Sequence, residues 1–169
     1  MPVQWLLFPR SEKPVSSLLH LISAFTSNLD ALGSHANELD SNSVLRIITP
    51  NLVAGGFKVE TGKSKENKIA VPVLYGLNGA IEKCFFADAF HPGEGVVVEV
   101  EAGRAVDNNQ FLKDLFQACM MQDAQHLAIC VRNAYRGGND FDSVARFLDT
   151  LYTSRRMQLP LTTVLLIGY

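Results

Sequence analysis

The sequence lacks most of the features that assign a class at first sight. Its 169 residues include only three cysteines, Cys84, Cys119 and Cys130, all in apolar stretches and none in a C-x-x-C pair. A disulfide framework is therefore not expected, and the thiols read as core residues in a reducing compartment. No run approaches the ~18 apolar residues of a membrane span. The apolar Trp5-Leu6-Leu7-Phe8 is too short for the core of a signal peptide. The expected compartment is the cytoplasm, without a membrane partner. A basic excess is missing too: the net charge is −2, whereas nucleic-acid binders usually lean the other way. An acidic metal site would hide part of such an excess, so this balance excludes little. Repeats, linkers and low-complexity tails are also absent. With 47% hydrophobic residues, a full core and one domain over residues 1–169 are expected.

What the chain does have is an acidic hairpin signature, CFFADAFHPGEGVVVEVEAGRAVDNNQ, from Cys84 to Gln110. Two apolar runs, Cys84–Phe90 and Val96–Val100, flank the turn-forming His91-Pro92-Gly93-Glu94-Gly95. Side chains alternate across a strand, so Glu99 and Glu101 share one face while Val98 and Val100 take the other. The two acids lie roughly 6–7 Å apart along the strand. If Asp88 on the partner strand pairs with Glu99, Val97 or Glu101, all three carboxylates point to one side. A one-residue slip would scatter them. Three converging acids repel one another unless a cation joins them, and oxygen-only ligands suit Mg2+ or Mn2+.

The flanking elements follow from periodicity. Pro14 opens a helix whose apolar face runs Val15, Leu18, Leu19, Ile22, Phe25, Leu29 and Leu32, and Gly33 closes it. A second helix starts near Ser41–Ser43, is broken or kinked at Pro50 and ends at Gly55-Gly56. Residues 1–10 form either a short strand or a packing arm. Phe57–Thr61 and Ile69–Tyr75 read as a hairpin about a polar turn. Gly62-Lys63-Ser64 in that turn imitates a phosphate-binding loop, but Phe57 stands where that motif needs glycine and a strand follows it. After the acidic strands, Asp107 can cap a helix to about Asp123, with Phe111, Leu112, Leu115, Phe116, Cys119 and Met120 inward. His126–Val131 reads as a buried strand, Asp140 as the cap of a last helix, and Leu161–Ile167 as a final buried strand.

At Asp88, Glu99 and Glu101 the sequence resembles the PD-(D/E)XK nuclease superfamily, in its E-x-E variant. Ala87 stands in the place of the motif's proline and Glu101 in that of its lysine. The order of elements resembles that family as well, over roughly residues 15–169. So do the segments Glu99-Val100-Glu101-Ala102-Gly103-Arg104 and Asn133-Ala134-Tyr135. The resemblance implies an α/β, restriction-endonuclease-like mixed sheet of about five to six strands flanked by helices, with core order α-β-β-β-α-β. It implies a Mg2+- or Mn2+-dependent nuclease, endonuclease before exonuclease, acting on nucleic acid and DNA first. A homodimer is left open.

In that family Asp88 and Glu99 would bind metal, with the main-chain carbonyl of Val100, and Glu101 would serve as base or as ligand of a second ion. Arg104 or Lys113 would restore the positive charge that Glu101 removes. Glu60 is a further candidate acid, or a solvated strand-end carboxylate. Phosphate contacts fall to Lys63, Lys65 and Lys68 in the turn and to Arg132 and Arg136 after the His126–Val131 strand. The alternatives are an inactive nuclease-fold protein serving as a nucleic-acid-binding or structural subunit, and an unrelated α/β domain with a chance acid cluster.

Overall fold

A computed structural model describes residues 1–62 and 64–169. Lys63, a candidate phosphate contact, lies outside the described residues. Among the described residues, eight strands and five α-helices run in the order β1 (Gln4–Phe8), α1 (Ser16–Ser27), α2 (Leu29–Leu32), α3 (Ser41–Ala54), β2 (Lys58–Val59), β3 (Ile69–Tyr75), β4 (Ile81–Ala87), β5 (Ala89–His91), β6 (Val96–Glu101), α4 (Gln110–Met120), β7 (His126–Val131), α5 (Asp140–Ser154) and β8 (Thr163–Gly168).

Six strands make one mixed sheet in the order β1-β8-β7-β6-β5-β2, while β3 and β4 form a separate two-stranded sheet. The central pairs β6–β7 and β7–β8 are parallel and the outer pairs antiparallel. Central parallel strands are covered on both faces, which is why β7 and β8 are buried at every residue. Alternation along β6 divides the core. Val96, Val98 and Val100 pack with α1, α2 and α3, whereas Val97 faces the side of α4, α5 and the β3–β4 pair. Within the main sheet the order α3-β2-β5-β6-α4-β7 is the helix, three strands, helix and strand expected, with β3–β4 inserted.

Several expectations are corrected. Of the two readings open for residues 1–10, the strand is the one found, over residues 4–8 and paired antiparallel with β8. Lys58–Val59 pairs with Phe90 and Ala89 and not with Ile69–Tyr75, whose partner is β4. The run Cys84–Phe90 is two strands that part at Asp88, so the hairpin with β6 is shorter than expected. The first helix ends at Ser27, and a separate turn of helix, α2, follows. Helix α3 passes through Pro50 and is capped by Asp40, whose carboxylate accepts from Ser43 N–H at 2.7 Å. Asp107 caps nothing, and α4 begins at Gln110. Asn139, not Asp140, caps α5. On α4 the buried face is Phe111, Asp114, Leu115 and Ala118, while Phe116 and Met120 are each 49% exposed. Among the described residues no helix is long and apolar enough to cross a membrane.

Candidate active site

The three acids come together because of a register and a break. Ala89 pairs with Val98 and Phe90 with Val97, and the same register carried one step back sets Asp88 opposite Glu99. Antiparallel partners point to the same face, so Asp88, Glu99 and Glu101 all turn toward α4. At Asp88 the chain leaves the main sheet for β4. Where the β5–β6 ladder stops, the Asp88 carboxylate takes the place of a main-chain acceptor: Val100 N–H donates to its Oδ2 at 2.8 Å. The main chain of Val100 therefore adjoins the acids through its N–H, while its side chain is buried on the opposite face.

These groups line a cavity of about 330 Å3 under α4, together with Ser41, Lys68, Gln110, Lys113, Asp114 and Gln117. Asp114 is the residue that sequence reasoning missed. It belongs to the helical stripe Phe111–Asp114–Leu115–Ala118, and a carboxylate three residues after one core position and four before another was the available signal. Asp114 is 4% exposed, and its Oδ2 has no hydrogen-bond partner among the described residues.

Electrostatics follow from burial. Desolvation first, then the charges of Asp88, Asp114 and Glu101, push Glu99 well above the usual carboxylate range. Burial and the neighbouring Asp114 raise Glu101 to about 8, and the two carboxyls are close enough to share a proton. Burial raises Asp88 to about 6 against the pull of the Val100 N–H, with Glu60 and Asp114 adding to the rise and Lys68 opposing it. Asp114 is also raised, chiefly by burial, and Lys113 acts in the opposite sense on Glu99, Glu101 and Asp114. Among the described residues no group of three or more His, Cys, Asp or Glu side chains is arranged to hold a metal ion. The four acids share a cavity without forming a closed ligand set.

Raised acid pKa values have a definite sign for stability. The folded protein keeps protons that the unfolded chain releases above about pH 4, so stability falls as pH rises until the folded carboxyls ionise near 6 and 8. Without divalent cations, the melting temperature is expected to drop by about 5–10 °C between pH 5 and pH 8. Scanning calorimetry in chelator checks it, and a flat profile refutes this account of the site.

The remaining candidates divide. Lys113 and Lys68 line the acid cavity; Lys68 also lies over the Phe86 ring, 5.4 Å from its centroid. Lys65 is exposed in a single turn of 3-10 helix. Glu60 lines a neighbouring cavity with Arg46 and Thr49 of α3, near enough for its charge to raise Asp88. Arg104, Arg132 and Arg136 meet in a third cavity, beyond Ala102, and not among the acids.

No family model matches the sequence, and no curated protein matches it. Solved structures do. Free BglII aligns with 99% of this chain and 79% of its own at a TM-score of 0.53 and 13% identity. The restriction endonuclease BglII complexed with a DNA 16-mer aligns with 99% and 78% of the two chains, again at 0.53 and 13%. The fold is restriction-endonuclease-like.

Proposed function

We propose that this protein cleaves the phosphodiester backbone of nucleic acid, DNA first, by metal-dependent attack of water at the cavity of Asp88, Glu99, Glu101 and Asp114. One observation carries the reading: in a fold like that of a restriction endonuclease, four carboxylates share a cavity with Lys113 and Lys68. The donor chemistry suits a hard cation, being all oxygen and including a buried Asp114 oxygen with no hydrogen-bond partner among the described residues. The four carboxylates would have to close around the ion, since they are not arranged as a ready ligand set. Bound there, Mg2+ or Mn2+ would acidify water and neutralise charge on the transferring phosphoryl group.

Asp88 and Glu99 would hold the ion, with Glu101 and Asp114 beside them. Asp88 is held in place by the Val100 N–H, which fixes one carboxylate oxygen and leaves the other for a ligand. Glu101 has a pKa near the working range of a general base and a neighbour, Asp114, with which to exchange the proton. Lys113 supplies, from the next helix, the positive charge that position 101 lacks. Its amine would face the phosphoryl oxygens across the cavity and stabilise charge developing there.

The deciding experiment is cleavage of plasmid, linear and single-stranded DNA and of RNA with Mg2+, with Mn2+ and with chelator. Cutting that chelator abolishes is expected. The second reading, a nuclease-fold protein that binds without cutting, draws on the missing lysine at 101 and on the open ligand arrangement. Binding with no product under either metal would select it.

Lys65 and Lys68 extend the basic side of the cavity. Because each phosphate contact releases condensed counterions, the double change Lys65→Ser/Lys68→Ser should flatten the slope of log affinity against log salt by up to about 2, uniformly across sequences. Titrations at several salt concentrations measure it. An unchanged slope returns both lysines to the solvated surface.

A further inference from the structure

The acid chemistry leaves a neighbouring cavity unused. It measures about 460 Å3, within the range of small-molecule sites. One wall is α3, through Leu45, Arg46 and Pro50, and the other is the chain leaving β2, through Glu60 and Thr61. Register places this cavity next to the acids. Val59 pairs with Ala89, and Glu60 N–H donates to the carbonyl of Asp88 at 2.8 Å, so Glu60 is the cross-strand neighbour of Asp88. Such neighbours have Cα atoms about 5 Å apart. A strand whose phosphate occupies the acid cavity therefore has a base within reach of this one.

The walls are fixed and their charges are open. Thr61 N–H donates to the carbonyl of Asn67 at 3.0 Å, which pins the chain beyond Glu60. In α3, Pro50 has no N–H to give to the carbonyl of Arg46, four residues before it. The helix thus leaves a main-chain acceptor without its usual donor between two residues of the wall. Among the described residues the charged groups of the lining are Arg46, which is exposed, and Glu60, which is half-buried. The one ion pair among those residues is Arg10–Asp149, so Arg46 and Glu60 stand more than 4.0 Å apart across the same cavity. A group that offers acceptors on one edge and donors on the other fits between them.

We propose that this cavity takes an unpaired guanine base of the strand held at the acid cavity, with the Glu60 carboxylate on its N1–H and 2-amino donors and the Arg46 guanidinium on its O6 and N7 acceptors. The proposal rests on the nuclease reading for the identity of the strand. Hydrogen-bond pattern selects the base. Guanine alone among the four bases sets two donors side by side on its pairing edge, and a carboxylate accepts both at once in charge-assisted bonds. Adenine and cytosine place a ring-nitrogen acceptor beside their amino group, which repels the second carboxylate oxygen. Thymine flanks its single N–H with two carbonyls. The O6 and N7 edge is the one that arginine meets bidentately. In a duplex the N1 and 2-amino donors are spent on cytosine, so the base that enters is an unpaired one.

The test titrates thymidine oligonucleotides carrying one central guanine, hypoxanthine, adenine or cytosine, in chelator, so that binding is read without cutting. The guanine strand should bind about 10-fold or more tightly than the adenine and cytosine strands, the scale of one bidentate pair. Hypoxanthine, which keeps N1–H and lacks the 2-amino group, should fall between. Glu60→Gln should erase the preference, because its amide offers one donor and one acceptor. Arg46→Gln, at an exposed position where folding is not at stake, should erase most of it. The readout is the ratio between strands, which a change in overall charge does not move. Equal affinity for the four strands overturns the proposal, as does a preference that survives both variants. A preference as strong in duplex as in single strand also overturns it and points to groove readout. So does free dGMP binding more tightly than the guanine strand, which assigns the cavity to a nucleotide. If the unaltered protein cuts nothing under Mg2+ or Mn2+ while the guanine preference persists, the nuclease reading fails and this site stands.

Discussion

Glu99→Gln is expected to lower cleavage by about a thousandfold or more, roughly 4 kcal/mol of transition-state stabilisation, while the metal-free protein melts higher. Both effects come from one carboxyl. Glu99 is 8% exposed and faces Asp88, Asp114 and Glu101, so its ionised form is opposed by burial and by three like charges. A cation would offset that repulsion, and the amide, with no negative charge to give, would leave the ion a weaker site.

The stability gain has a pH signature that separates it from ordinary repacking. Glu99 keeps its proton in the fold while the unfolded chain loses it above about pH 4.3. The parent is therefore penalised increasingly as pH rises, and the amide escapes the penalty. The variant should match the parent near pH 4 and exceed it by several degrees near pH 8, at about 2–4 °C per kcal/mol for a chain of this length. Adding Mg2+ at a hundred times its dissociation constant should raise the parent by ~2.7 kcal/mol and the variant by much less. A variant that cuts as well as the parent removes Glu99 from the ligand set.

Lys113→Met should reduce the single-turnover rate by about 100- to 1,000-fold, the usual scale for losing one preorganised charge at a developing oxyanion, with substrate affinity changed far less. Lys113 lies on α4 beside Asp114, lines the acid cavity and opposes the rise of three carboxyl pKa values. Its removal should therefore also shift the lower limb of the pH–rate profile upward, because Glu101 and Glu99 would ionise later. Lys113→Arg should recover part of the rate, since the charge returns with a different shape. A Lys113→Met protein with an unshifted profile and an unchanged rate would leave position 101 without a substitute and favour the binding-only reading.

The local rules read the strands of this site well and their partners poorly. Period two on Glu99 and Glu101 announced a shared face, and the register of Ala89 with Val98 agrees with it. Nothing local tells Lys58–Val59 to choose β5 over β3, because pairing is decided by what each strand buries. Nor does an apolar run disclose that the chain turns out of one sheet into another at Asp88. Asp114 is polar, which by itself suggests exposure, but the Phe111–Ala118 spacing puts it on the buried face of its helix. Phe116 and Met120 erred the other way: apolar and at helical spacing, they sit half exposed. The arginine cavity was legible only as separate residues, since its walls come from segments about a hundred positions apart.

The pairing of β1 with β8 joins residues 4–8 to residues 164–168, nearly the whole chain apart. Closing so long a loop is entropically expensive and kinetically slow. During synthesis at about 5–20 residues per second, β1 waits roughly ten seconds or more for its partner. Until then β7 also lacks its β8 neighbour, and the nascent sheet exposes an apolar edge that other chains can join. Slowing translation late in the message should therefore lower soluble yield more than slowing it early. Moving Gln4–Phe8 behind β8 through a permuted connection should make folding faster while leaving the acid cavity unchanged.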